Sequence, residues 1–415
     1  MPFSTYYVST TGKDTNPGTL ELPFKTIQHS TTIVEAGDTV LIREGTYNEK
    51  IKIEDLHGTK ANLIRFKNYQ DEEVIISGAK EIETQWELHK GNIWKTKVNF
   101  DVTQLFFEEK MLIGARWPNI DKNWDQLDES NSDNPTPYSY WDITNTRSQA
   151  NRIEGNENNS NIFKNSSITN KLEDLNFSLE GAQIVPENIG TKIYEITKHN
   201  KGESTFESTF KESDILNDFY ITGNLDLLDI PKEWFYDKET GQLYVWLQNN
   251  VDPNSVSIKA RGYTEEEHKI GDILLQINES SNLLFDGIIL KTGTFDLHRT
   301  KDTTFANSKF LYSGHNKHML GEDAQNQTGD FSETIITSKN DAGGNGRIGG
   351  FEANLSWINC EFAYSYSNFL DLGANASNYT IDNCHFHNKP RGGGAISNGS
   401  VLKGTTIRRS SFHTI

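Results

Sequence analysis

The chain has 415 residues, a net charge of −18, only 34% hydrophobic residues and a mean hydropathy of −0.64. No apolar run approaches the ~18 residues a membrane-spanning helix needs, and the acidic balance argues against nucleic acid, whose binding needs clustered Lys and Arg. Aromatics reach 11%, too many for a disordered chain, and the wealth of Asn, Thr, Ser and Gly favours strands and turns.

At the start, Phe24, Ile27, Thr31 and Val34 recur at helical spacing and end at Ala36-Gly37, a helix stop. Such a helix suits the open apolar end of a solenoid. Thr39 to Ile42, Lys50 to Ile53, Asn62 to Phe66 and Glu73 to Ile76 then read as short strands. From residue 79 to 259 this pattern lapses. Hairpin-like strands such as Gln104 to Phe107 and Leu243 to Leu247 flank a long Asn/Ser-rich stretch, which reads as an inserted β domain.

A repeat emerges in the last third. Five segments share an apolar, any, apolar, bend, bend, small, any, apolar pattern, anchored on Phe285, Phe305, Trp357, Ile381 and Ile407. Their separations are 20, 52, 24 and 26 residues, the 52 being coils that carry an insertion. The second bend position holds Gly287, Asn307, Asn359, Asn383 and Arg409, and Gly and Asn enter the left-handed region most cheaply. Asn side chains stacked coil over coil can bond as a ladder. The inward positions read Ile288, Ser308, Cys360, Cys384, Ser410 and then Leu290, Phe310, Phe362, Phe386, Phe412, a core column. The two cysteines are thus expected as buried neighbours rather than a disulfide framework or metal motif.

A third strand per coil is expected at Ile273 to Ile277, Phe295 to His298, around His318 to Leu320, Phe369 to Leu372 and Ala395 to Ser397. The fold class is therefore all-β: a right-handed parallel β-helix with an N-terminal capping helix and an inserted β domain. The expected division is 1–78 for the cap and first coils, 79–259 for the insertion and 260–415 for the later coils.

Several motifs carry a resemblance. Tyr6-Tyr7-Val8-Ser9, Gly12 to Thr19, Pro23 to Ile27 and Ala36 to Val40 look like the entry of right-handed parallel β-helix carbohydrate-active enzymes. Gln104 to Phe107 with Ala115-Arg116-Trp117-Pro118-Asn119, and Glu233 to Asp237 with Gly241 to Tyr244, resemble their inserted domain. The nearest groups are β-helical glycoside hydrolases of the family 120 (β-xylosidase) and family 141 (fucosidase/xylanase) types. Polysaccharide lyases and mannuronan epimerases share the entry motif. The resemblance implies a secreted or periplasmic enzyme, although Met1-Pro2-Phe3-Ser4 opens no signal peptide, and a polysaccharide or oligosaccharide as its partner.

A stacked sheet offers a groove whose outward side chains recur every ~4.8 Å. On the third-strand face, alternation around Leu297, Leu370 and Leu372 puts Asp296, His298 and Asp371 outward. Glycoside hydrolysis needs two carboxylates. Asp371 is the leading candidate, with Glu322 or Asp323 as partner and His318 beside them. Asp296, His298, His387, Lys389, Arg391 and Arg347 are candidates for holding substrate, the cations suiting an acidic or sulfated sugar. Hydrolysis needs no cofactor. A uronate lyase would use Lys, His or Arg as base and could add Ca²⁺, but Asp341 to Gly346 fits no EF-hand and reads as a groove loop. Three readings stay open: glycoside hydrolase, polysaccharide lyase, and a non-catalytic glycan-binding β-helix.

Overall fold

The computed structural model describes residues 3–119, 153–155, 162–165, 171–186, 194–209, 219–263, 273–313, 336–337, 351–364, 369–372, 376–388, 395–398 and 404–413. The chain forms two compact units. One comprises Met1–Lys80, Lys269–His315 and Ser332–Ile415; the described part of the other falls within Glu81–His268. The second unit reaches past the expected residue 259 because Ile258–Tyr263 pairs antiparallel with Asp101–Phe107. Among the described residues no helix is long and apolar enough to cross a membrane.

Among the described residues the first unit is a parallel β-helix with three long stacked sheets. Its first sheet stacks eight strands, including Thr39–Ile42, Ile64–Asn68, Leu283–Asp286, Thr304–Ala306, Ser356–Ile358 and Thr380–Asp382. Its second sheet stacks seven, among them Val74–Ser77, Ile288–Lys291, Lys309–Leu311, Glu361–Ala363, His385–His387 and Ser411–His413. Its third sheet stacks six: Ile51–Glu54, Ile273–Asn278, Thr294–His298, Ile336–Thr337, Leu370–Leu372 and Ile396–Asn398. In the third sheet Ile336–Thr337 occupies the rung expected from His318 to Leu320, residues that lie outside the described ones. Two residues are too few to show period-2 alternation, so the sequence pattern passes over them.

One residue makes the corner between first and second sheets. Gly287, Asn307, Asn359, Asn383 and Arg409 have φ of 74°, 49°, 56°, 53° and 51°. At Gly287, where the later coils place Asn or Arg, an added Cβ would lie 2.3 Å from Asn68 Oδ1, so a side chain there would have to displace the Asn68 amide. The expected ladder forms: Asn307 Nδ2 donates to Asp286 Oδ1 at 2.7 Å, Asn359 to Asn307 at 3.1 Å, and Asn383 to Asn359 at 2.9 Å. A second ladder at the entrance to the first sheet runs from Asn378 to Asn354 (3.1 Å) and from Asn354 to Asp302 (2.8 Å).

Inside, two aromatic columns follow the coils. Phe66, Phe285, Phe305 and Trp357 stack at 5.2, 5.1 and 6.2 Å between ring centroids. Phe310, Phe362, Phe386 and Phe412 stack at 4.7, 4.7 and 4.8 Å. Each fully buried ring contributes about 1.5–3 kcal/mol of transfer free energy. Cys360 and Cys384 are free, buried thiols.

The helix at the N-terminal end is shorter than its spacing implies, Ile27–Thr31. Ser30, Thr31 and Thr32 hydroxyls each donate to a carbonyl three residues back, competing with continued helical bonding. Phe24, Ile27 and Val34 still join the solenoid core. Gln28 closes the edge of the third sheet, accepting from Lys52 N at 2.6 Å and donating to Lys52 O at 3.0 Å.

The second unit is built mainly from antiparallel sheets around two apolar cores, one centred on Phe163, Phe219 and Ile221, the other on Leu105, Leu243 and Val245. The expected hairpin strands appear as Asp101–Phe107 and Gln242–Trp246.

Candidate active site on the third sheet

The strand Thr294–His298 shows how the chain presents chemistry on the solenoid. Phe295 and Leu297 are 1% and 0% exposed, while Asp296 and His298 alternate with them and remain partly accessible. This is period-2 alternation on a strand with one buried face. Register extends the pattern across coils: Lys52, Gln276, Asp296, Ile336, Asp371 and Ser397 occupy one column of backbone positions. Glu54, Asn278 and His298 occupy a second. Leu370 and Leu372, on either side of Asp371, are fully buried.

At the N-terminal end of this face the charges are already matched. Lys52 Nζ lies 2.8 Å from Glu54 Oε1, and Asn278 Nδ2 donates to the same oxygen at 3.4 Å. Arg299 pairs with Glu279 at 3.1 Å just past the strand. The column holding Asp296 and Asp371 continues from this end over the later coils.

His387 lies elsewhere. It ends a strand of the second sheet and its side chain is 6% exposed. Its Nε2 is 3.2 Å from Glu361 Oε1 and its Nδ1 is 3.1 Å from Asn388 Oδ1. Lys309 Nζ approaches the other Glu361 oxygen at 2.9 Å. The hydrogen bond from His387, helped by Lys309 and opposed by burial, holds the Glu361 carboxyl at about 2. His385 stacks on His387 with ring centroids 4.3 Å apart, and His413 meets His385 edge-on at 5.3 Å. Both His387 ring nitrogens are engaged by the protein's own side chains.

The structure therefore places Asp296, His298 and Asp371 on one sheet and His387 on another. Glu322, Asp323, His318, Arg347, Lys389 and Arg391 lie outside the described residues. Sequence reasoning passed over Glu361, although aligned coils put Ile289, Lys309, Glu361, His385 and Ser411 at one repeat position, and this column carried the signal. It also passed over Glu233, buried in the second unit at 1% exposure with neither carboxyl oxygen hydrogen-bonded. Burial, with Asp229 adding to it, pushes the Glu233 carboxyl well above the usual range. Among the described residues no group of three or more His, Cys, Asp or Glu side chains could hold a metal ion.

Residues 6–115 match the family described as Pel9A-like, right handed beta helix region. An uncharacterized protein of Bacillus subtilis (strain 168), YwoF, is 44% identical over 81 residues, which is 20% of this chain and 17% of that relative's length. A solved structure named "Glycoside hydrolase" superposes with a TM-score of 0.54 at 12% identity, covering 97% of this chain and 96% of the other. "The complex structure of XylC with xylose" gives a TM-score of 0.38 at 14% identity, covering 93% of this chain and 62% of that one. The first of these structures is alike in fold. The solenoid is a right-handed parallel β-helix.

Proposed function

We propose that the protein is a glycoside hydrolase acting on an extended plant or algal polysaccharide laid along the third sheet, with Asp371 as one of its two carboxylates. The observation that carries this reading is the column through Gln276, Asp296, Ile336, Asp371 and Ser397, which sets an acid between two buried leucines. Rungs ~4.8 Å apart present side chains at a spacing close to that of sugars in an extended chain. The fold shared with a structure named as a glycoside hydrolase supports the same reading. In this reading His298 and Asp296 face the glycan, Glu322, Asp323 and His318 complete the acid set, and Arg347, Lys389 and Arg391 meet substituents of acidic sugars.

The test is incubation with xylan, fucan, carrageenan, pectin and alginate, following reducing ends and the ultraviolet absorbance of unsaturated uronides together. Reducing ends without absorbance are expected, with Asp371→Asn losing roughly 10²–10⁴-fold in rate. Both signals rising together would replace hydrolysis by elimination, and calcium dependence would then be examined. Full activity in Asp371→Asn would remove that residue from the chemistry.

A further inference from the structure

Hydrolysis at a carboxylate pair follows one of two geometries: ~5–5.5 Å between carboxyls for retention, ~6.5–9.5 Å for inversion with a water between them. In a β-helix these distances translate into rungs, because side chains at one register position repeat with the strand spacing. Neighbouring rungs at ~4.8 Å suit retention; alternate rungs, about 9.6 Å apart at the backbone, come into the inversion range when their carboxyls lean toward each other.

The register of the third sheet distinguishes the two. Asp296 pairs with Gln276 on one side and Ile336 on the other; Asp371 pairs with Ile336 and Ser397. Neither aspartate has a carboxylate one rung away in this column. They stand two rungs apart, with Ile336 at the position between them. An apolar residue at that rung offers neither a competing charge nor a nucleophile.

From this juxtaposition, and resting on the hydrolase reading above, we propose that Asp296 is the second catalytic carboxylate and that Asp296 and Asp371 hydrolyse the glycosidic bond with inversion. In the step, one carboxylic acid gives its proton to the glycosidic oxygen as the bond from that oxygen to the anomeric carbon breaks. The other carboxylate takes a proton from water, whose oxygen bonds to the opposite face of the anomeric carbon. The products are two sugar hydroxyls, and proton exchange with solvent resets the pair. Asp296 thereby moves from holding substrate to the chemistry itself, in the place given above to Glu322 or Asp323.

The experiment uses the full chain on whichever polymer of the panel it cleaves, and reads the anomeric configuration of the first-formed reducing end by proton NMR before mutarotation. Inversion is expected. Asp296→Asn and Asp371→Asn should each lose roughly 10²–10⁴-fold in rate with unchanged melting and circular dichroism, while Ser411→Ala, on the second sheet, leaves the rate unchanged. In the matching alanine variants, azide should restore turnover where the base is missing and give a glycosyl azide of inverted configuration. Hydrolysis with retention, or an Asp296→Asn variant at full rate, overturns the Asp296–Asp371 assignment and leaves the hydrolase reading standing. Silence on every polymer, or elimination products, overturns the hydrolase reading and this assignment with it.

Discussion

The two units arrange their polar side chains differently, by repetition on the exposed corners of the solenoid and singly in the insertion. In the solenoid, corner residues with positive φ carry side chains that bond the coil next to them, so Asn307, Asn359 and Asn383 satisfy one another in sequence. In the inserted unit Glu233 is carried fully inside with neither oxygen hydrogen-bonded. Register tells the same story. Among the described pairings the insertion shifts register at Leu88/Lys90, Val102/Gln104 and Ile196/Lys198, whereas the solenoid shifts at Ile273/Leu275, in the strand that resumes the coils. Repetition makes one corner arrangement serve several times, while isolated unpartnered atoms occur in both units, at Trp357 Nε1 and Ser313 Oγ in the solenoid and at Glu233 in the insertion.

The largest effect should come from breaking the solenoid's column. Trp357 is fully buried between Phe305 and Tyr379. Trp357→Ala is expected to cost about 3–5 kcal/mol, read as a lower denaturant midpoint for loss of β signal in circular dichroism. Trp357→Phe should cost far less, because it also removes an indole N–H that has no partner. Equal losses in both variants would mean that the column tolerates a cavity as readily as a smaller ring.

Next comes the compromise in the insertion. A carboxyl whose folded value is raised is protonated more readily in the folded than in the unfolded state. Its stability contribution is full below the unfolded value of ~4.3 and fades as pH rises through the folded one. Glu233→Gln removes that dependence, so the variant should gain about 1–3 kcal/mol at neutral pH and no advantage near pH 4. Denaturation of the pair across pH checks this; a gain independent of pH would assign it to packing rather than to charge.

The smallest effect sharpens the contrast at a single rung. Asn359→Ala loses both its ladder bonds and places Ala at a φ of 56°, together about 2 kcal/mol. Asn359→Gly keeps the dihedral accessible and should lose less. A glycine variant as unstable as the alanine one would show that the side-chain bond, not the backbone angle, dominates.

The same contrast explains what the sequence could reveal. Coil alignment identified the left-handed corners, the first ladder, the aromatic column of Phe310, Phe362, Phe386 and Phe412 and the outward places of Asp296 and His298, because each feature recurs in register. The second ladder at Asp302, Asn354 and Asn378 was present in the same alignment but falls at a corner flanked by segments of unequal length. The third strand at Ile336–Thr337 is too short to carry a period. Glu361 was legible only by comparing one position across five coils, since its partner His387 is 26 residues away. Glu233 falls in a segment the resemblance singled out, but its burial depends on tertiary packing with no repeat behind it.

The Asn ladder has a consequence for how such a chain can change length. Asn383 bonds Asn359 by the same amide-to-amide geometry by which Asn359 bonds Asn307. A gene that dropped the codons for residues 359–382 would hand Asn383 to Asn307 and Phe386 to Phe310, chemically the junctions already in place. Duplication would insert the same junction once more. The coil is thus a unit of inheritance as well as of structure, and deletions of whole turns should survive where deletions of a few residues within a strand do not.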